Sequence, residues 1–379
     1  MSRIRTAFLL LALSAAVLAS HAEPSPTADR PWALPSAALR ADTAFARTIE
    51  RLSEPGGYFD SDNLISNEAS YLHVLGRLRE IGTTGGAYIG VGPDQNFSYS
   101  AHVRPRIAYI IDIRRDNLLH HLLYKALFTH ARNRIEFLAL LTGRAVPEDP
   151  GQWNDRGIAD LVAYIDAQPA DAQRHRAAAE RLRTTIRDFG VPLDSRDVQT
   201  IEDIHRAFHE AGLDLRFTSL GRGPRPYYPT LRQLLLETDR DGTLGNYLAE
   251  ERHFRFVKSL QEANRIIPVV GDLAGEHALR AIGDDIRRRG EAVSAFYTSN
   301  VEYYLMADGK FQRYLDNVLA LPRDGRSVII RSYFSRGYPH PQSLPGYYST
   351  QLIETLDALV RSHENGGLRT YFDLVNRGG

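Results

Sequence analysis

The chain has 379 residues, of which 43% are hydrophobic and 24% are charged. This composition is typical of a globular protein and excludes a disordered, collagenous or polytopic membrane chain. The 46 basic residues balance the 46 acidic ones, so no overall electrostatic field would recruit nucleic acid. Cysteine is absent, which excludes disulfides, thiolate metal sites and cysteine nucleophiles.

The first residues have the pattern of a cleavable export signal. Arg3 and Arg5 precede an apolar run over residues 7–19, which ends at the small-residue site Ser20-His21-Ala22. The run is shorter than the roughly 20 residues that span a bilayer. We expect cleavage near Ala22, a periplasmic or secreted product, and a mature chain without an integral membrane segment.

Composition then divides the rest of the chain into three parts. Residues 23–57 are rich in proline and read as an irregular leader with one short helix near its end. Residues 143–262 carry charged helical patterns and are predicted to form a helical insertion. Residues 58–142 and 263–379 alternate between strand and helix patterns and are predicted to form one domain.

Five apolar runs in that domain predict strands, and helical patterns separate them. The predicted strands are 87–91, 107–113, 266–270, 292–298 and 327–334. A helix over 116–141, a helix over 349–363 and a last strand over 368–374 complete the assignment. Strands that alternate with helices pair in parallel through right-handed crossovers. The sequence therefore predicts an α/β, Rossmann-like fold whose mostly parallel sheet has a long helical insertion between strands two and three.

The most informative motif joins the ends of the first two predicted strands. Gly90-Val91-Gly92 ends the first strand, and Asp112 ends the second strand twenty residues later. In nucleotide-binding α/β folds such glycines let a ligand approach the backbone, and the acid binds ribose hydroxyls. Gln95 stands where a third glycine is usual. The pattern predicts a nucleotide-type site, and a structural glycine turn with a surface aspartate is the alternative.

This order of parts resembles the class I S-adenosylmethionine-dependent methyltransferase fold over residues 66–135 and 263–335. The resemblance implies S-adenosylmethionine as cofactor, with Gly90, Gly92 and Gln95 near its methionine part. It further implies Asp112 at the ribose and Asp272 near the adenine. Tyr88 departs from the family, which usually has an acid there.

The loop after the fourth predicted strand usually faces the acceptor in this family. Here the loop carries Asn300, Glu302 and Tyr303. Asn300 is predicted to hold the acceptor by hydrogen bonds, Tyr303 to stack on it, and Glu302 to act as a base. Ordinary packing at the end of a strand is the alternative.

Several polar runs also look like those of a widespread bacterial family of unassigned function. They include Ser61-Asp62-Asn63, Ser66-Asn67-Glu68 and the run 112–115. We expect their polar groups to converge on the carboxyl edge of the sheet and bind substrate. The residues concerned are Asp62, Asn63, Asn67, Glu68, Arg114 and Arg115. Helix capping is the alternative for the first four, and solvated charge is the alternative for the two arginines.

Two readings of function follow, and both take a small molecule as the partner. In the first, the protein transfers a methyl group from S-adenosylmethionine to a small acceptor. In the second, an exported, non-catalytic Rossmann-like protein binds a small anionic or nucleoside-like ligand. No metal is expected, because His205 and His209 lack the glutamate that follows the first histidine in zinc proteases. These two histidines are predicted to lie at the surface.

Overall fold

The computed structural model describes residues 43–220, 225–335 and 338–376. Six strands lie in this part of the chain: β1 (Ala87–Gly90), β2 (Ile107–Asp112), β3 (Ile266–Val270), β4 (Val293–Ser299), β5 (Arg323–Phe334) and β6 (Ser349–Thr355). They form one sheet in the order β3-β2-β1-β4-β5-β6. The first five pair in parallel, and β6 runs antiparallel to β5. The α/β, Rossmann-like fold with a mostly parallel sheet is confirmed.

The helices lie before, between and after these strands. Ten precede β3: α1 (Thr43–Leu52), α2 (Leu75–Ile81), α3 (Gln95–Val103), α4 (Arg115–His130), α5 (Arg134–Thr142), α6 (Ile158–Ala167), α7 (Ala172–Asp188), α8 (Ser195–Ala211), α9 (Leu231–Leu235) and α10 (Glu251–Glu262). Five follow it: α11 (Ala278–Arg288), α12 (Val301–Ala307), α13 (Phe311–Leu319), α14 (Leu356–Glu364) and α15 (Tyr371–Val375). None of the helices in the described ranges is long and apolar enough to span a bilayer. The predicted export signal, residues 1–22, lies outside these ranges.

The central strands are apolar on both faces because helices cover both faces. Every residue of β1 and β3 is buried, and so are the first five residues of β2. A strand with one solvated face would alternate between buried and exposed positions. Helix α4 packs on β2 and β3 and also contacts α7, α8 and α10. The helices between β2 and β3 therefore join the sheet through α4, and the described residues form one compact unit.

The helix predicted over 116–141 is in fact two helices. The chain leaves α4 at Ala131, and the side chain of Asn133 accepts a hydrogen bond from the backbone N–H of Glu136 to start α5. An asparagine cap favours a new helix start over continuation. The apolar periodicity runs through both helices and hides this break.

The secondary structure predicted for the last part of the chain is wrong in two places. Residues 349–355 form β6 rather than the start of a helix, because they pair along β5. Residues 371–375 form α15 rather than a strand, because Thr370 and Asp373 make a capping box. Pairing with a distant strand outweighed local helix propensity in the first case.

Candidate functional site

A cavity of about 490 Å³ opens at the carboxyl ends of the parallel strands. Open α/β sheets bind ligands at this edge, and ligand pockets typically measure about 300–1,000 Å³. The predicted site residues that line the cavity are Asn63, Asn67, Gly92, Gln95, Asp112, Arg114, Asp272 and Asn300. The structure therefore brings together residues that are up to 237 positions apart in the sequence.

The glycine turn after β1 is held open by its neighbours. Gly92 has a φ of +80°, a conformation that glycine adopts without strain. The Asn96 side chain donates hydrogen bonds to the carbonyl oxygens of Gly92, at 3.2 Å, and of Pro93, at 2.7 Å. A ring nitrogen of His121 lies 2.9 Å from the Gly92 oxygen. The turn therefore exposes its backbone to the cavity in a fixed shape.

Gly90 does not line the cavity, although the sequence predicts it there. A Cβ at this position would lie 1.9 Å from Asn96 Oδ1 and 2.7 Å from the hydroxyl of Tyr88. That hydroxyl donates to Asn96 Oδ1 at 2.8 Å. Burial and nearby Glu68 raise the pKa of Tyr88 well above its ordinary value. Gly90 therefore makes room for the buried Tyr88–Asn96 pair rather than for a ligand.

Asp112 ends β2 and presents its carboxylate at the cavity wall. Its oxygens accept hydrogen bonds from the Arg114 backbone at 2.9 Å and from Asn63 Nδ2 at 3.4 Å. The Arg114 guanidinium lies 3.3 Å away and also donates to the carbonyl oxygens of Ser61, at 2.9 Å, and Asp62, at 3.2 Å. Arg114 therefore fixes Asp112 and is not a free clamp for an anionic ligand.

Asp272 plays the corresponding part at the end of β3. One carboxylate oxygen accepts from the Ala274 backbone at 2.9 Å, and the other lies 3.3 Å from Lys310 Nζ. The Asp272 backbone N–H donates to Glu54 at 2.8 Å. Glu54 belongs to the predicted leader, so this segment contributes to the site.

Residues 53–63, which we call the strap, pass the ends of β3 and β2 and form part of the cavity wall. Glu54 donates its backbone N–H to Val270 O at the end of β3, and Gly57 donates to Ile113 O just after β2. The ring of Phe59 then meets that of Tyr304 in α12 at 5.0 Å and 90°. Proline and glycine interrupt the periodicity of the residues up to 57, so the sequence predicts an irregular leader there rather than part of a site.

Aromatic side chains form much of the wall, and none of those that line it is among the residues predicted from the sequence. The aromatic residues that line the cavity are Tyr58, Phe59, Phe217, Tyr228, Tyr304, Phe334 and Tyr348. They come from the strap, the insertion, α12, β5 and the loop before β6. One signal was present in the sequence: the chain has Tyr-Tyr pairs at 227–228, 303–304 and 347–348, and the second tyrosine of each pair lines the cavity.

The predicted base, Glu302, lies away from the cavity. Its side chain is 2% exposed and accepts a hydrogen bond from Arg331 Nε at 2.6 Å and from the Tyr314 hydroxyl at 2.8 Å. Both carboxylate oxygens are hydrogen-bonded to these buried partners, and Glu302 is not among the residues that line the cavity. The prediction that Glu302 acts on an acceptor is corrected accordingly. Tyr303 also points elsewhere, with its ring packed against Tyr371 at 5.3 Å.

Three further predicted residues hold the structure together outside the cavity. Arg115 pairs with Asp197 on α8 at 2.7 Å, which leaves it away from the ligand edge. Asp62 accepts a hydrogen bond from the Thr218 backbone at 2.9 Å. Glu68 accepts from the Tyr297 hydroxyl at 2.6 Å beneath β4. Neither Asp62 nor Glu68 caps α2, because that helix begins only at Leu75.

The prediction that His205 and His209 lie at the surface is wrong. They are 1% and 9% exposed, and both pack against His175, whose ring stacks on His209 at 4.3 Å and lies 4.6 Å from His205. Burial lowers the pKa of His175 and of His205 to about 4. Across the described ranges, no group of three or more histidine or acidic side chains is arranged to hold a metal ion.

An open, mostly parallel sheet with a lined cavity at its carboxyl edge defines a Rossmann-like α/β protein. The chain belongs to the family of the domain of unknown function DUF7790, whose model matches residues 64–150 and 192–372. No curated protein matches its sequence. The matched segments include Gly92, Asp112 and Asp272, and the first segment begins directly after the strap.

Proposed function

We propose that the cavity binds a nucleoside-containing cofactor of the S-adenosylmethionine type and that the protein transfers a methyl group to a small acceptor. One observation carries this proposal: Gly92, Asp112 and Asp272 follow three neighbouring strands and line the same cavity. These are the positions that the methyltransferase resemblance assigns to the methionine part, the ribose and the adenine. We further propose that the chain is exported, on the strength of the signal pattern in residues 1–22.

The side chains present fit such a ligand chemically. Asp112 offers carboxylate oxygens to vicinal hydroxyls and is fixed by Arg114 and Asn63. Asp272 offers acceptor oxygens to an exocyclic amine and is fixed by Ala274. Gln95 lines the cavity, and its buried Oε1 atom has no hydrogen-bond partner within the described residues. A buried acceptor without a partner is uncommon.

When bound, S-adenosylmethionine supplies an electrophilic methyl group on sulfur. The reaction depends mainly on in-line positioning and asks for little covalent chemistry from the protein. Asn300 directly precedes α12 and lines the cavity, and its side chain makes no capping hydrogen bond to that helix, so its amide is available to orient an acceptor. The engagement of Glu302 with Arg331 therefore leaves the proposed reaction intact, although it removes the predicted base.

A second function, binding without turnover, is favoured by one specific observation. The carboxylate expected to serve the acceptor is instead held by Arg331, so a proton acceptor predicted from the sequence is missing from the cavity. In this version the same crevice holds a nucleoside-like ligand. Formation of S-adenosylhomocysteine in the presence of an acceptor separates the two functions.

The first test is a thermal-shift measurement on the full chain with S-adenosylmethionine, S-adenosylhomocysteine, NAD and ATP. A ligand at about 100 times its Kd stabilises the folded state by about 2.7 kcal/mol. We expect a shift with the first two compounds and its loss in Asp112→Ala. Asp116→Ala is the matched control, because Asp116 is exposed four residues later and does not line the cavity. No shift with either adenosyl compound would overturn the proposal.

A further inference from the structure

The cavity has two chemically different halves. The ends of β1, β2 and β3 bring polar groups, represented by Gly92, Asp112 and Asp272. The β4 and β5 side brings rings instead: Tyr304 in α12 follows β4, and Phe334 ends β5. We call this second part, with Phe59, Phe217, Tyr228 and Tyr348, the aromatic half. A nucleoside-type ligand over the polar strands would leave the aromatic half for the second reactant.

The rings of the aromatic half contact one another in pairs. Phe59 and Tyr304 meet edge to face at 5.0 Å, and Phe217 and Tyr228 meet in the same way at 5.0 Å. Phe334 and Tyr348 form a third pair at 5.7 Å. Edge-to-face pairs have a preferred geometry, so the rings present fixed surfaces. Fixed ring surfaces select flat ligands, which stack without bending.

Aromatic surface continues from the cavity to the solvent. Tyr58 lines the cavity and is 75% exposed, and Tyr227 is 38% exposed while its ring stacks on Tyr348 at 4.0 Å. An exposed aromatic ring that adjoins a cavity is typical of a binding site. The aromatic surface is therefore larger than the enclosed part of the cavity, which suits a ring system that reaches the mouth.

The cations around the cavity have partners already. Arg114 is bonded to Asp112, and Lys310 to Asp272. The Arg225 guanidinium donates to the Tyr227 hydroxyl and lies 5.8 Å from that ring. The Tyr227 hydroxyl does not neutralise Arg225, but the described lining holds more acids than cations. Its charged residues are Asp60, Asp112, Asp272 and Asp308 against Arg114, Arg225 and Lys310. The cavity therefore has no net positive charge to attract an anionic reactant. An uncharged reactant fits this electrostatic pattern.

We infer that the aromatic half binds a planar, uncharged aromatic ring system carrying a hydroxyl group, as the acceptor of the reaction. The hydroxyl oxygen would form a bond to the methyl carbon as the bond from that carbon to the sulfonium sulfur breaks, which leaves S-adenosylhomocysteine. The hydroxyl proton would pass to solvent water at the exposed side of the cavity, where Tyr58 lies. That this ligand is a methyl acceptor rests on the proposed function. That the aromatic half binds an aromatic ring does not depend on the proposed function. The stacking surfaces come from Phe59, Tyr228, Tyr304 and Tyr348. Asn300, next to Tyr304 in the cavity wall, is placed to hydrogen-bond the hydroxyl group.

The test compares two probes that share a carbon skeleton. 2-Naphthol is planar and aromatic, whereas decahydro-2-naphthol has the same skeleton and hydroxyl but is saturated and puckered. Binding of each to the full chain is measured by equilibrium dialysis. We expect 2-naphthol to bind about tenfold more tightly, because ring–ring contacts add to simple burial. Equal affinities would overturn the inference, and so would tight binding of choline, which indicates a cation cage instead.

Variants of single rings locate the site. Tyr304→Leu removes a ring and Tyr304→Phe keeps it, so we expect the first to lose the preference for 2-naphthol and the second to retain it. Tyr348→Leu repeats the test on another element in case the first variant fails to fold. Retention of full preference in both leucine variants would overturn the inference.

The two proposals fail separately in this design. Suppose that 2-naphthol binds more tightly than decahydro-2-naphthol and S-adenosylhomocysteine gives no thermal shift. The proposed cofactor is then wrong, and the aromatic half is still a site for aromatic rings. If S-adenosylhomocysteine binds and the two naphthols bind with equal affinity, the proposed cofactor site is supported and the proposed acceptor class is wrong. Asp112→Ala should remove only binding of the adenosyl compound, because Asp112 belongs to the polar half.

Discussion

Arg331 donates to Glu302 at 2.6 Å where neither side chain is more than 3% exposed. A second carboxylate, that of Glu354, also pairs with this guanidinium. Burial alone would lower the pKa of Arg331, but the two glutamates outweigh burial and raise it. The cluster ties α12 to β5 and β6, so Glu302 stabilises the edge of the sheet.

Replacing Arg331 should destabilise the fold more than replacing Glu302. Arg331→Met leaves two buried carboxylates without a cation, and breaking such a pair costs about 3–5 kcal/mol. Glu302→Gln keeps the Arg331–Glu354 pair, so we expect a smaller loss, about 1–3 kcal/mol. Urea unfolding of the full chain measures both losses.

The same variant also tests the corrected role of Glu302. Because its carboxylate does not line the cavity, Glu302→Gln should leave ligand affinity unchanged when the folded fraction is matched. A loss of turnover at full affinity would restore Glu302 as a base. Equal unfolding free energies for the two variants would contradict the cluster argument.

The fold could be predicted because it rests on local patterns. Apolar runs of strand length, such as 107–113 and 266–270, carry their own signal, and alternation with helices implies parallel pairing. β6 could not be predicted in this way, because residues 349–355 become a strand only by pairing with β5.

Only the site residues at the carboxyl ends of the strands could be predicted from the sequence. Asp112 and Asp272 end strands, so their meeting follows from topology alone. Glu302 is polar and lies just beyond a strand, like a site residue, but its role depends on Arg331, which comes from β5. The strap aromatics Tyr58 and Phe59 directly follow the break Pro55-Gly56-Gly57, so no local periodicity indicates that they line the cavity.

Two glycines two residues apart should respond differently to alanine. In Gly90→Ala the new Cβ would lie 1.9 Å from Asn96 Oδ1, among atoms that are buried. Overpacking of this kind costs about 1–3 kcal/mol or more. In Gly92→Ala the nearest atom is 3.2 Å away and the penalty is the φ of +80°, about 1–2 kcal/mol.

Ligand binding separates these two variants. Gly92→Ala places a methyl group at the turn that faces the cavity, so we expect weaker binding of the adenosyl ligand. Gly90→Ala should lower the thermal midpoint while the folded fraction binds normally. Calorimetric titration alongside thermal unfolding measures both effects, and weaker binding in Gly90→Ala alone would place the ligand elsewhere.

Replacing Arg114 should lower the unfolding free energy much more than replacing its neighbour Arg115. Arg114→Gln leaves Asp112 without its cation and releases the strap carbonyls of Ser61 and Asp62, which we expect to cost about 3–5 kcal/mol and to weaken ligand binding. Arg115→Gln removes a pair whose guanidinium is 45% exposed, worth about 0–1 kcal/mol. Chemical unfolding and ligand titration of both variants provide the comparison. Similar losses in the two would mean that the strap does not depend on Arg114.

The packed histidines should make the folded state sensitive to acid. Burial lowers the pKa of His205 from 6.5 to about 4, so the unfolded chain takes up a proton at higher pH than the folded chain does. The unfolding free energy contributed by this group is fully present above about pH 6.5 and is lost as the pH falls toward 4. His175 acts in the same direction, and nearby Arg206 and Arg144 add positive charge to the cluster.

His205→Gln isolates this contribution. The amide stays neutral and can still hydrogen-bond the Leu140 carbonyl, which His205 contacts at 3.0 Å. Between pH 6.5 and 4 we expect up to one proton fewer to be taken up on unfolding, a slope change of up to about 1.4 kcal/mol per pH unit. Asp94, whose pKa burial raises to about 6, contributes the opposite slope to every variant and cancels in the comparison. The exposed His277→Gln is the control, and an unchanged slope in His205→Gln would show that the histidine cluster takes up protons as readily when folded as when unfolded.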